Sequence, residues 1–191
     1  EQTIDLYNID NFMMAGVPNT GFTEALAFVF QKRDLRLLGY DQKVDDNTTL
    51  DIFWGLYEIM GVSLVDMKMW QWLYANPDAT AAQLKAATIE IARDVWNKYY
   101  APLLGEQDCP LLGIYSHMVG YALYLPGYPI GQLVQFQLEE HLAKCSSPAE
   151  FAKEYIRIYQ QGKLTPNAWM IGAVGQPMSV EPILRAVRKV L

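Results

Sequence analysis

Between Tyr115 and Gln137 the chain reads YSHMVGYALYLPGYPIGQLVQFQ, and His117, Tyr121 and Tyr124 fall at i, i+4 and i+7. On an α-helix that spacing gathers one imidazole and two phenols on a single face. Tyr128 follows, just past a Leu125-Pro126-Gly127 break. Two roles suit such a group. Lining a cleft, these side chains are hydrogen-bond donors for an oxyanion that develops during a reaction. Packed inward, they are an aromatic core stripe whose hydroxyls find internal partners. Residue types alone leave both open.

A second candidate lies in Gly16-Val17-Pro18-Asn19-Thr20-Gly21-Phe22-Thr23-Glu24-Ala25-Leu26-Ala27, which places a lone glutamate at the start of an otherwise apolar helical pattern. Glu24 either faces water and complements the helix dipole, or faces inward as a metal ligand.

Other chemistries find little footing. The sequence has no HExxH, no phosphate-binding glycine loop and no GxSxG elbow. His117 and His141 are its only histidines, far from the three or four clustered ligands that zinc requires. Cys109 and Cys145 form no CxxC pair, although a single bridge between them stays open. A net charge of -6 disfavours nucleic acid as a partner, because phosphate binding needs a basic surface. No apolar run approaches the roughly 20 residues that span a bilayer, and a short basic last helix on an acidic chain is a poor surface anchor.

The elements that must carry these residues read as helices. With 51% apolar and 19% charged residues, 191 residues suit one domain, 1–191, with a real core. Helices are expected from Thr20 or Thr23 to Leu38 with Gly39 as the stop, and from Asn47 or Thr48 to Tyr74 with a stripe of Leu56, Met60, Leu64, Met67 and Leu73. Another opens on the Thr80/Gln83 capping-box pattern and ends before Pro102. Residues 111–124 and 130–144 read as two more, parted by a Pro126–Pro129 hinge. Ser147-Pro148 and Glu150 start a helix ending at Gly162; 166–174 is a short one; Ser179 and Glu181 open the last. Sustained alternation is missing, so the expected class is all-α, an irregular multi-helix domain.

The combination resembles a known group. A helix beginning G-F-x-E-A, about ninety residues of helix, then a His/Tyr/Gly segment running into Q-F-Q-L is similar to angiotensin-converting enzyme and its relatives. The ending, F-A-K-E-Y, Gly162, then Gly175-Gln176-Pro177 and an amphipathic helix, resembles the oligoendopeptidase and thimet oligopeptidase group. Both are helical zinc peptidases of the gluzincin type, in which an HExxH helix supplies two histidines and the catalytic glutamate and a later helix supplies a third ligand.

The resemblance spans Gly16 to the end and implies a zincin-like helical fold of which this chain is the C-terminal half. It implies Glu24 as the third zinc ligand. It implies Tyr128, seven residues before the QFQ run, as the tyrosine that stabilises the tetrahedral intermediate. His117 matches the substrate-binding histidine with a spacing that differs by one, and Tyr121 and Tyr124 have tyrosine counterparts in the oligopeptidases. Phe28 stands where the converting-enzyme relatives place an aspartate and Gly127 where they place an arginine. Either the zinc is supported differently here or activity has been lost. Because the chain opens on Glu1, the HExxH half is expected upstream of it, with zinc in the intact parent enzyme and none in this chain alone. Expected partners are a peptide substrate, the HExxH-bearing region of the same protein, and a second copy through the exposed cleft face. The alternative is a non-catalytic helical interaction module.

Overall fold

A computed structural model describes residues 17–31 and 46–191. Nine α-helices and one 3-10 turn make up 74% of these residues, with no strand among them, so the chain is an all-α protein. It divides into two compact units, one of residues Glu1–Phe53 with Ile130–Leu191 and one of Trp54–Pro129.

In the first unit, α1 (Thr20–Gln31) is opened by Asn19, whose side-chain oxygen accepts from the Gly21 N–H at 2.9 Å. The expected extension to Leu38 and Gly39 lies outside the described residues, as does most of the segment before α1. Phe22 and Ala25 are fully buried and join Val134, Leu138, Ile158, Trp169 and Met170 in one core. Phe22 meets Trp169 edge-on at 4.9 Å between ring centres. Two of those residues belong to α6 (Gly127–Leu142), whose part from Ile130 onward lies in this unit.

The next helices start as their sequences dictate. Ser147 caps α7 (Pro148–Tyr159) by accepting from the Glu150 N–H, with Pro148 in the first turn. The Glu150 carboxylate turns back to Ser146, accepting from its N–H at 2.7 Å and its hydroxyl at 2.6 Å, so the box closes one residue earlier than expected. Helix α8 (Pro166–Val174) has the expected bounds and stops at Gly175, whose φ of 82° is left-handed. Helix α9 (Glu181–Val190) ends on Arg188 and Lys189. Its cap position is Val180; Ser179 stands one residue earlier and accepts from the Glu181 N–H at 3.2 Å. Buried Gln137 anchors the Gly-Gln-Pro segment, donating to the Pro177 carbonyl at 3.0 Å and accepting from the Ser179 N–H at 2.8 Å.

The second unit is built on the later part of α2 (Asp46–Ala75), on α3 (Ala81–Tyr99) and on the short α4 (Ala101–Leu104). The Thr80/Gln83 capping box is fully formed. The expected stripe on α2 holds in part. Leu56 is buried and Leu64 and Leu73 are half-buried, but Met60 and Met67 are exposed, and Val65 and Met69 are buried with Ser63 and Asp66 instead. Apolar side chains occur on every face of α2, so spacing alone selects no stripe. Gly61 decides it, because without a side chain there the Tyr100 ring comes directly onto the helix.

Residues 111–124 are not one helix. They form a 3-10 turn (Leu111–Gly113), the four-residue α5 (His117–Gly120) and a turn in which Leu123 adopts φ 58°. Gly113 and Gly120 weaken helix here, and exposed Ile114, Val119 and Tyr121 give no continuous apolar face to bury. Helix α6 also begins inside the expected break, at Gly127, where Pro129 is tolerated because a first-turn N–H needs no helical partner.

Candidate functional site

Although the segment is not one helix, its rings converge. His117 lies 5.1 Å from Tyr115, 5.2 Å from Tyr121 and 6.2 Å from Tyr124, measured between ring centres. Tyr124 continues the series to Tyr128 at 5.5 Å, edge to face. Thus the four residues expected from the i, i+4, i+7 spacing and the Pro-Gly break are brought together in the second unit, by a turn rather than by a shared helical face.

The local backbone explains how. Tyr121 N–H donates to the His117 carbonyl at 2.8 Å, closing α5. Tyr124 N–H then donates to Tyr121 and Gly127 N–H to Tyr124, so successive turns wrap the phenols around the imidazole. Met118 and fully buried Leu125 plug the turn into the core of this unit.

Within the cluster the side chains differ. Tyr115 and Tyr121 are exposed. Tyr128 is half-buried against the core of the second unit, the environment of a core aromatic. Half-buried His117 keeps its Nδ1 atom out of water with no hydrogen-bond partner among the described residues.

Two supporting residues escaped the sequence reading. The Ser63 hydroxyl, buried on α2, lies 3.0 Å from the Leu125 carbonyl and 2.7 Å from that of Ile59, sharing its one hydrogen between them. One turn on, Asp66 is wholly buried. Burial pushes its carboxyl upward, opposed by the backbone N–H of Leu123, the Trp70 indole and the backbone N–H of Leu125. Those donors face it without closing to hydrogen-bond geometry. Ser63 and Asp66 therefore flank the turn that carries Tyr124. The available signal was a polar pair at i, i+3 within the apolar run Gly61–Trp70, ordinarily read as a solvated face.

Glu24 belongs to the first unit and is half-buried. It is the fifth residue of α1, beyond the first turn in which a carboxylate gains most from the dipole. A Cβ built on Gly131 would stand 2.8 Å from the Glu24 Cβ and 2.9 Å from the Gly21 carbonyl, so α6 crosses α1 at this residue. A carboxylate is one of the ligand types that zinc accepts. Among the described residues no three His, Cys, Asp or Glu side chains come together as a metal-ligand set.

Another polar cluster of the first unit ties its helices together. His141 Nε2 lies 2.7 Å from Glu154, and Arg157 holds the same carboxylate at 2.6 and 2.8 Å while donating to the Gly172 and Ala173 carbonyls. Arg157 thereby closes the C-terminal end of α8, and its grip lowers the Glu154 carboxyl to about 2. Cys109 and Cys145 are free thiols.

Fold and geometry together define an all-α protein with a histidine–tyrosine cluster on its second unit. No protein-family model and no curated protein matches the sequence.

Proposed function

We propose that this chain is the C-terminal part of a zinc-dependent metallopeptidase, inactive by itself. The observation that carries the reading is the convergence of His117, Tyr121, Tyr124 and Tyr128, four residues singled out by their likeness to peptidase motifs, into one array of rings. Glu24 contributes one zinc ligand, and an HExxH segment elsewhere in the same protein contributes the others and the general base. When bound, zinc polarises the scissile carbonyl and activates water.

The work of this chain is to hold and orient. A phenol donates a single hydrogen bond, and Tyr128 directs its O–H to the oxyanion, where the bond strengthens as charge develops. His117 binds the substrate backbone, with Tyr121 and Tyr124 alongside. The apolar surface next to the cluster, with Ile114 and Val119 strongly exposed, is what the HExxH-bearing region covers, or a second copy in its absence.

The competing reading, a helical interaction module without catalysis, draws on the same exposed surface. Hydrolysis of a quenched fluorescent peptide library by the full-length gene product separates the two. The peptidase reading expects cleavage that a chelator abolishes and zinc restores. Binding of peptides without cleavage under any metal supports the module.

A further inference from the structure

The second unit holds a cavity of about 630 Å³ to which the histidine–tyrosine cluster contributes only Tyr115, and the inference drawn from it does not depend on the peptidase reading. That volume falls within the range of small-molecule pockets. Its wall is aromatic. Trp54 lies 5.8 Å from Tyr57, Tyr57 4.8 Å from Tyr100, and Trp96 stacks on Tyr100 at 5.3 Å.

The polar atoms of Tyr57, Tyr100 and Trp96 are already engaged. Tyr57 donates its hydroxyl to the Tyr99 carbonyl. Tyr100 donates to the Tyr57 carbonyl at 2.5 Å and accepts from the Gly61 N–H at 2.9 Å. Trp96 donates its indole N–H to the Glu106 carbonyl at 2.7 Å. With their polar ends fixed to backbone, these three rings are locked in place and present π surface to a ligand. Val62, Leu112 and Ile114 add aliphatic lining, and Tyr115 and Ser116 bring two hydroxyls to it.

One charge stands in this setting. Glu58 is the sole ionisable acid or base among the described lining residues apart from the tyrosines, and no ion pair to it is found among the described residues. Glu58 is exposed, and a carboxylate at the edge of an aromatic-lined cavity attracts the same kind of group as the rings do, since both favour a cation. A phosphate or carboxylate ligand would meet repulsion, and a wholly neutral one would leave Glu58 unused.

We propose that this cavity binds a small organic cation with an aromatic body, its ring seated against Trp54, Tyr57 and Trp96 and its ammonium paired with Glu58. The test titrates the 191-residue chain with phenethylammonium and, separately, with its neutral counterpart 2-phenylethanol, following tryptophan fluorescence and heat. The expected result is saturable one-to-one binding, with the cation at least about tenfold tighter than the alcohol. Glu58→Gln should bring the cation down to the affinity of the alcohol without altering the alcohol or the melting temperature. Trp54→Ala should weaken both. Equal affinity for the two probes, an unchanged cation affinity in Glu58→Gln, or no saturable binding in the millimolar range would each overturn the proposal.

Discussion

Gly131 and Glu24 share one crossing point, with a virtual Cβ on the glycine 2.8 Å from the Glu24 Cβ and 3.1 Å from the Ala25 nitrogen. Both neighbours are main-chain or near-main-chain atoms that cannot rotate away. Two effects compete in Gly131→Ala. Removing glycine from a helix interior gains about 1 kcal/mol. Overpacking a tight crossing costs roughly 1–3 kcal/mol. The clash should win, and chemical denaturation should show net destabilisation. Gly55→Ala is the control: nothing lies within 4 Å of its virtual Cβ, so that variant should be more stable by up to about 1 kcal/mol.

Tyr100 leads to an alkaline prediction. Burial pushes its hydroxyl up to about 12, partly offset by the Gly61 N–H. A raised folded value means that the stabilisation is fully present below the ordinary value near 10 and is lost as pH rises through about 12. Ultraviolet titration of tyrosinate should therefore show a late-ionising phenol coinciding with alkaline unfolding. Tyr100→Phe should remove that phase and lower stability by about 0.5–1.5 kcal/mol, since it removes the hydroxyl's hydrogen bonds to the Tyr57 carbonyl and the Gly61 N–H.

At the acid end Glu154 governs. Its carboxyl is lowered to about 2, first by the Arg157 hydrogen bonds and then by those to His141. A depressed value contributes stability above the ordinary carboxylate range that is lost as pH falls through about 2. Melting temperatures measured from pH 6 down to 2 should fall less steeply in Glu154→Gln than in the parent. Parallel slopes would show that the Arg157 contact contributes nothing to acid stability.

How far the sequence revealed all this varied with the kind of signal. Where a helix start rests on one local hydrogen bond, as at Thr80/Gln83 and Ser147/Glu150, the residues named it, because capping is decided within four positions. Residues 111–124 failed because i, i+4, i+7 spacing presumes a helix, and Gly113, Gly120 and the positive φ of Leu123 broke it. The rings still met, through turns that periodicity does not describe. On α2, the buried face depended on where Tyr100 would land, a contact thirty-nine residues distant from Gly61 that no local pattern carries. Ser63 and Asp66 were hidden for the same reason, as their partners come from Leu123–Leu125.

Within the histidine–tyrosine cluster, the phenols should separate by role. Under the peptidase reading, in the full-length gene product Tyr128→Phe should lower kcat by about 10²–10³ with KM and folding nearly unchanged, the usual effect of losing one oxyanion donor. Tyr121→Phe and Tyr124→Phe are the comparisons. If Tyr128→Phe retains kcat within about twofold while another abolishes it, the donor role passes to that residue. If none alters kcat and each lowers the unfolding midpoint, the array is an aromatic core.

The most direct test of the peptidase account is the zinc content of the purified full-length gene product, compared between the parent and Glu24→Gln, with Glu150→Gln as a carboxylate control on α7. The account predicts one zinc per chain in the parent and in Glu150→Gln, and in Glu24→Gln a loss of metal together with peptide hydrolysis while the helical circular dichroism is retained. Zinc bound equally by Glu24→Gln, or a parent protein that takes up no zinc, would contradict it.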